Sequence, residues 1–292
     1  MTAFHLADGR ARLAAVCFDG TIRALDPVTG EPTTTFRQVQ GAANGIAVCR
    51  RPGREPVLAV ATDEGVEWFD TVSAEPCHWP TVDDNVWGLA VGRGGEVLYA
   101  SGYFPPAPIH RWDATTGAML APLGRHDDHL VALAVLTRSD GTEMIASTGW
   151  AGGIQRWDPV TGETCGSPLH GHEAFVHELG AARLPDGRLL LVSLDSGGEL
   201  RRWDAVTGEQ IGGAIRGLEQ LGSGRSLLVI STGGRPRILV SAGGVIRQWD
   251  ALTGAALADI AEGDGPVLLD LDGVPTIAAT CGDGILLHPL PR

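Results

Sequence analysis

The chain has 292 residues, 43% of them apolar, and no uninterrupted apolar run approaches the roughly 18 residues that carry a helix across a bilayer. Its formal net charge of -13, from 22 basic and 35 acidic residues, repels the phosphate backbone that nucleic-acid binders must neutralise, so DNA and RNA are excluded as expected partners. Every basic residue is Arg, which also excludes Schiff-base chemistry and lysine-dependent phosphate loops.

The opening MTAFHLADGR has neither a basic start nor an apolar stretch of signal-peptide length, which predicts a cytoplasmic protein with no membrane partner. Cys17, Cys49, Cys77, Cys165 and Cys281 are odd in number and scattered, with no C-x-x-C pair. They predict reduced, mostly buried thiols, and neither a metal nor a cofactor is expected.

From there a phrase recurs: IRALDPVTGEP from Ile22, VEWFDTVSAEP from Val66, IHRWDATTGAM from Ile109, IQRWDPVTGET from Ile154, LRRWDAVTGEQ from Leu200 and IRQWDALTGAA from Ile246. Its aspartates, Asp26, Asp70, Asp113, Asp158, Asp204 and Asp250, are spaced by 44, 43, 45, 46 and 46 residues, a period suited to four-stranded units. A degenerate seventh copy, ILLHPLPR, begins at Ile285. Before each phrase lie two β-rich runs divided by a turn, as in Val176 to Arg183, Pro185-Asp186-Gly187 and Arg188 to Leu194. The phrase supplies a third strand, and its Thr-Gly turn leads into a fourth.

These residues resemble the WD-repeat β-propeller family along essentially the whole chain. The most specific signs are Trp112-Asp113, Trp157-Asp158, Trp203-Asp204 and Trp249-Asp250, together with Gly171-His172. The resemblance implies an all-β, seven-bladed propeller of four-stranded antiparallel blades, with residues 1–292 as a single domain. It also implies a His, Ser, Asp and Trp lock in each blade. That set is incomplete here: the blade ending at Asp204 has His172, Ser193 and Trp203 but Gly197 at the turn aspartate, and the blade ending at Asp158 has His126, Ser147 and Trp157 but Ala151.

Leu6 to Asp26 aligns without gaps on Leu184 to Asp204, so residues 1 to 5 are expected to supply the tail of the first inner strand. The last blade is expected to lack its outer strand, leaving residues 285 to 292 as an edge open to strand pairing with a partner.

Alternating strand directions put the entry to each first strand and the turn between the second and third on one face, the top. The segments from Ala42 to Gly45, Asp83 to Trp87, His126 to Val131, Glu173 to His177, Gly222 to Arg225 and Glu262 to Gly265 fall there. In the family this face docks peptides and other partners, which nominates Asn44, Trp87, His129, Phe175, His177, Arg225 and Asp264 as ligand-binding residues. Tyr103 and Trp150, which the repeat does not explain, join them. Ser101 to Pro108 lengthens one top turn with rigid prolines and two rings, in the manner of a preformed ligand wall.

The string HEAFVHE misses the zinc-protease spacing, since His172 and His177 are five apart, and no nucleophile elbow occurs. The expected function is therefore a non-catalytic binding or scaffold module whose acidic, aromatic top takes a peptide, a protein or a cationic small molecule. The alternative is an enzyme of small-molecule metabolism with His177 or His129 as general acid or base at the channel mouth.

Overall fold

A computed structural model describes residues 1–292 except 18–19, 93, 219–225, 233, 282–283 and 291–292. Among the described residues there is no helix, hence none long and apolar enough to cross a membrane. The chain divides into two compact units, Met1–Leu133 and Ala134–Arg292.

In the first unit, β1 (Thr2–His5), β2 (Ala11–Val16), β3 (Ile22–Leu25) and β4 (Pro32–Thr35) form one antiparallel sheet in that order. A second consists of β5 (Ala43–Arg51), β6 (Arg54–Thr62) and β7 (Gly65–Asp70). A third consists of β8 (Val86–Val91), β9 (Val97–Gly102) and β10 (Ala107–Asp113), with β11 (Met119–Leu120) and β12 (Arg125–His126) both paired to β10. A fourth, of β13 (Leu130–Thr137), β14 (Glu143–Gly149) and β15 (Ile154–Trp157), begins at the end of this unit. The second unit then adds a fifth sheet of β16 (Val176–Arg183), β17 (Leu189–Asp195) and β18 (Leu200–Asp204). The sixth is β19 (Ser226–Thr232), β20 (Arg235–Ala242), β21 (Val245–Asp250) and β22 (Ala261–Glu262), and the seventh is β23 (Asp264–Leu271), β24 (Val274–Cys281) and β25 (Gly284–Pro289).

Residues 2–5 pair with β2, and β25 stands last in its sheet. The predicted fourth strand is weaker than the repeat suggests. In the second, fourth and fifth sheets the outer segment meets the third strand only at isolated bridges, such as Phe69 with Pro76, Trp157 with Thr164 and Leu200 with Ile215. Gly166, Pro168, Gly212 and Gly213 lie in these segments, and such residues support few ladder bonds.

The middle strand of a sheet is apolar on both faces. Val57, Ala59 and Ala61 of β6 join a buried cluster with Leu98, Ala100 and Trp112 of the third sheet, while Leu58 and Val60 join another with Ala14, Ile22 and Phe36 of the first. In the second unit, Ile238 and Val240 of β20 pack with Leu190 and Val192 of the fifth sheet, and Leu239 packs with Ile277 and Ala279 of the seventh. The four tryptophans of the Trp-Asp pairs are buried. Among the thiols only Cys49 is fully buried, and burial pushes it up to about 12; Cys281 is exposed and the other three are half-buried, short of the burial expected from their scatter.

Each repeated phrase closes by the same chemistry. The aspartate Oδ1 accepts the backbone N–H groups two and three residues on, as Asp26 does from Val28 and Thr29 and Asp158 from Val160 and Thr161. These amides hold the Asp26 and Asp158 carboxyls below the usual range. The following Thr or Ser oxygen accepts another N–H, and the next residue adopts positive φ. That residue is glycine at 30, 117, 162, 208 and 254, where φ lies between 73° and 82°, but it is Ala74 in the second sheet, at φ 61°. A left-handed alanine is strained by roughly 1–2 kcal/mol. Ala74→Gly should therefore raise unfolding stability by about 1 kcal/mol in a denaturant titration, after allowance for the greater unfolded-state freedom of glycine. A loss of stability would contradict this reading of the turn.

Candidate functional site

The fifth sheet contains a closed chain of hydrogen bonds. His172 Nδ1 lies 2.8 Å from Asp195 Oδ2, His172 Nε2 lies 2.6 Å from Ser193 Oγ, and Trp203 Nε1 donates to the same Oγ at 2.9 Å. Asp195, at the end of β17, takes the place that sequence reasoning assigned to residue 197, so the set judged incomplete is complete here. The connectivity matches a serine–histidine–carboxylate relay, but all four side chains are buried and the serine oxygen already receives the indole N–H. It is a lock rather than a reaction centre. His172, Asp195 and Glu199 also come close enough together to suggest metal ligands. Their donor atoms are committed, however: both His172 nitrogens as described, and the Glu199 oxygens to Arg201 and Arg216.

In the fourth sheet Trp157 Nε1 donates to Ser147 Oγ at 2.6 Å. In the third sheet Trp112 Nε1 donates to Pro80 O, and His110 Nε2 meets Asp84 Oδ2 at 3.1 Å.

A second recurring feature aims side chains outward. The first strand of the second, third, fifth and seventh sheets carries one extra residue near its start, between Ala43 and Gly45, Val86 and Leu89, Val176 and Glu178, and Asp264 and Val267. Such bulges re-aim side chains. Asn44, Trp87 and His177 stand at three of them. In the third sheet, Ser101 Oγ accepts the Gly88 N–H at 2.7 Å and pins the bulge.

Trp87 stacks on Tyr103 with ring centroids 5.2 Å apart and planes inclined by 15°. Tyr103 in turn contacts the His129 ring at 4.5 Å and the Phe104 ring, edge-on, at 5.3 Å. His129 Nδ1 lies 3.0 Å from the Tyr103 carbonyl oxygen, which orients the imidazole, and Asp84 Oδ1 accepts the Tyr103 N–H at 3.4 Å. Trp87 and Phe104 are exposed by 42% and 59%, so apolar ring surface stands in solvent on either side of Tyr103. Asp83 and Asp127 are exposed beside it in sequence, and Asp128 accepts the His129 N–H.

Of the nine nominated residues, Trp87, Tyr103 and His129 are thus brought together. Asn44 lies nearby, but its amide is spent on Asn85 and the Val86 carbonyl, tying the second sheet to the third. In the second unit the Phe175 and His177 rings lie 6.3 Å apart, and Trp150 is half exposed. Asp264 accepts the Gly244 N–H, a turn-closing role. Arg225 lies outside the described residues. Phe104, which was noted only as one ring of the insertion, belongs with the cluster.

No family model matches this chain, and no curated protein matches it. Among solved structures, the computationally designed Ika8 protein, crystallised in P63, is similar to it at 18% identity and a TM-score of 0.62, over 99% of this chain and 96% of that one. That likeness concerns the fold alone.

Asp195→Ala should cost about 2 kcal/mol in chemical denaturation, because it strands the His172 ring without its partner; an unchanged midpoint would assign the lock elsewhere. Burial lowers His172 below its ordinary value and His126 down to about 4, whereas burial pushes Glu178 up to about 7. The histidines bind fewer protons folded than unfolded, so their contribution is intact above about pH 6.5 and lost as pH falls toward 4. Glu178 has the opposite sign, favouring the fold as pH falls from about 7 to 4.5. Glu178→Gln should accordingly be stabilising at pH 8 with an advantage that shrinks on acidification. His126→Gln should instead flatten the acid-side loss, and denaturation curves across that range separate the two.

Proposed function

We propose that the sheets are the blades of a seven-bladed, WD-repeat-type propeller formed by residues 1–292, and that the protein is a non-catalytic binding module. What supports the propeller is the regular spacing of the phrase, one small antiparallel sheet per copy, and face-to-face packing between consecutive sheets within each unit. The binding surface is the Trp87–Tyr103–His129 stack with Phe104 at its edge. Its ligand is a cationic side chain of a peptide or protein.

The observation that carries this reading is the exposed ring stack in a chain of net charge -13, flanked in sequence by Asp83, Asp84, Asp127 and Asp128. Ring faces attract guanidinium and ammonium groups by their quadrupole, and surrounding carboxylates steer such groups inward. A polar enzyme pocket has less support, because the His129 ring is packed against the rings of Tyr103 and Phe104.

Binding to an array of arginine- and lysine-containing peptides tests the proposal. The strongest peptide should lose affinity at least about tenfold on Trp87→Ala, a loss typical of an aromatic anchor, and should weaken at raised ionic strength. The melting temperature of the variant should stay close to that of the parent. Affinity indifferent to both changes would refute the assignment.

A further inference from the structure

Where one sheet meets the next, the side chain two residues before the phrase aspartate fills a common place. Arg156 lies there between the fourth and fifth sheets, with Nη1 donating to the Ala205 and Val206 carbonyls and Nη2 to that of Ser167. Arg202 repeats the contact between the fifth and sixth, donating to the Ala251 and Leu252 carbonyls. Trp68 takes the position in the second sheet and is buried in one cluster with Ala114 of the third. The register is the same each time: Arg156 opposes Ala146, Arg202 opposes Val192 and Trp68 opposes Ala59.

In the first sheet this residue is Ala24, opposite Ala14. The room it leaves is a cavity of about 140 Å³ bounded by Ala24 and Thr34 of the first sheet and by Thr71 and Val72, the counterparts of Ala205 and Val206. Arginine enters from a different strand. Arg12 of β2 stands where the second, fourth and fifth sheets have buried Val57, Met144 and Leu190 and the sixth has Arg237, and its side chain is nine-tenths buried at the cavity wall. Its Nη1 donates to Ala11 O at 2.7 Å and reaches Asp26 Oδ2 only at 3.4 Å. Among the described residues its Nε and Nη2 have no acceptor. Arg10 also lines the space, held on one side by Asp8.

We propose that this cavity binds a small oxyanion, a carboxylate or phosphate group, received by the free edge of the Arg12 guanidinium with the Arg10 charge and the Thr34 hydroxyl beside it. Arg12 Nε and Nη2 are donors without an acceptor among the described residues, so a ligand on that side of the space must bring acceptors to them. A guanidinium edge presents two parallel donors that match such a group. Asp26 does not close the site, because its Oδ1 already accepts two backbone N–H groups and its other oxygen sits at a long contact from Arg12.

The test is the melting temperature of the full chain in phosphate and in acetate, each against chloride at equal ionic strength. A rise of about 3 °C is expected at an anion concentration tenfold above the dissociation constant. The anion that produces it identifies the source, and a rise with either supports the site. Ala24→Met, which fills the cavity as longer side chains do at the other junctions and leaves the Arg12–Asp26 pair in place, should abolish the rise. Thr34→Val, an exchange of similar size, should reduce it and provides the result should the first variant not fold. No rise over chloride with either anion, or a rise that survives both substitutions, overturns the proposal.

Discussion

Each of these small sheets has two apolar faces and no means of covering either by itself. β6 shows the constraint most directly, since its alternate residues enter two different buried clusters, one shared with the first sheet and the other with the third. β17 is buried along its entire length. A strand in that position cannot alternate apolar with polar residues, and the sequences LAVA and LLLV accordingly read as continuous apolar runs. Face-to-face stacking between consecutive sheets within each unit is therefore the condition on which the remaining features depend. Arg156 and Arg202 extend it at the margins, each joining its own sheet to the turn of the next through carbonyl oxygens.

The repeated phrase was legible because its residues each perform a separate local task. The aspartate accepts two amides, the Thr or Ser accepts a third, and the next residue provides the positive φ, all within six residues of one another. Such chemistry needs no tertiary context and survives the loss of the tryptophan, as Leu25 and Phe69 demonstrate. The outer strands were less legible. Their existence followed from the period, but their length depends on how many ladder bonds a segment containing glycine and proline can make, and the period says nothing about that.

The candidate site divides along the same line. Trp87 and Tyr103 stood out in the sequence because the repeat has no use for them, and the structure stacks them. What sequence could not show is the extra residue near the start of β5, β8 and β16, which turns Asn44, Trp87 and His177 away from the regular alternation; a single inserted residue resembles ordinary variation in spacing. Asp195 was missed for a different reason. The expected partner of His172 was sought in the turn, at Gly197, while the carboxylate sits two residues earlier. The signal was available: an ionisable residue ends the otherwise apolar run of β17, and a buried carboxylate requires a donor.

A chain built from near-copies makes its departures informative, because each copy states what the position ordinarily demands. Arginine at 156 and 202 shows that the junction accommodates a guanidinium and provides carbonyls for it. Alanine at 24 then means that the same place was left open, and Arg12, where the second, fourth and fifth sheets bury an apolar side chain and the sixth has Arg237, brings positive charge to its wall from another strand. Neither substitution would be noticed alone, since a buried alanine is common and a buried arginine beside an aspartate has a partner. Taken together they place guanidinium donors without a protein acceptor among the described residues at the wall of an unfilled volume.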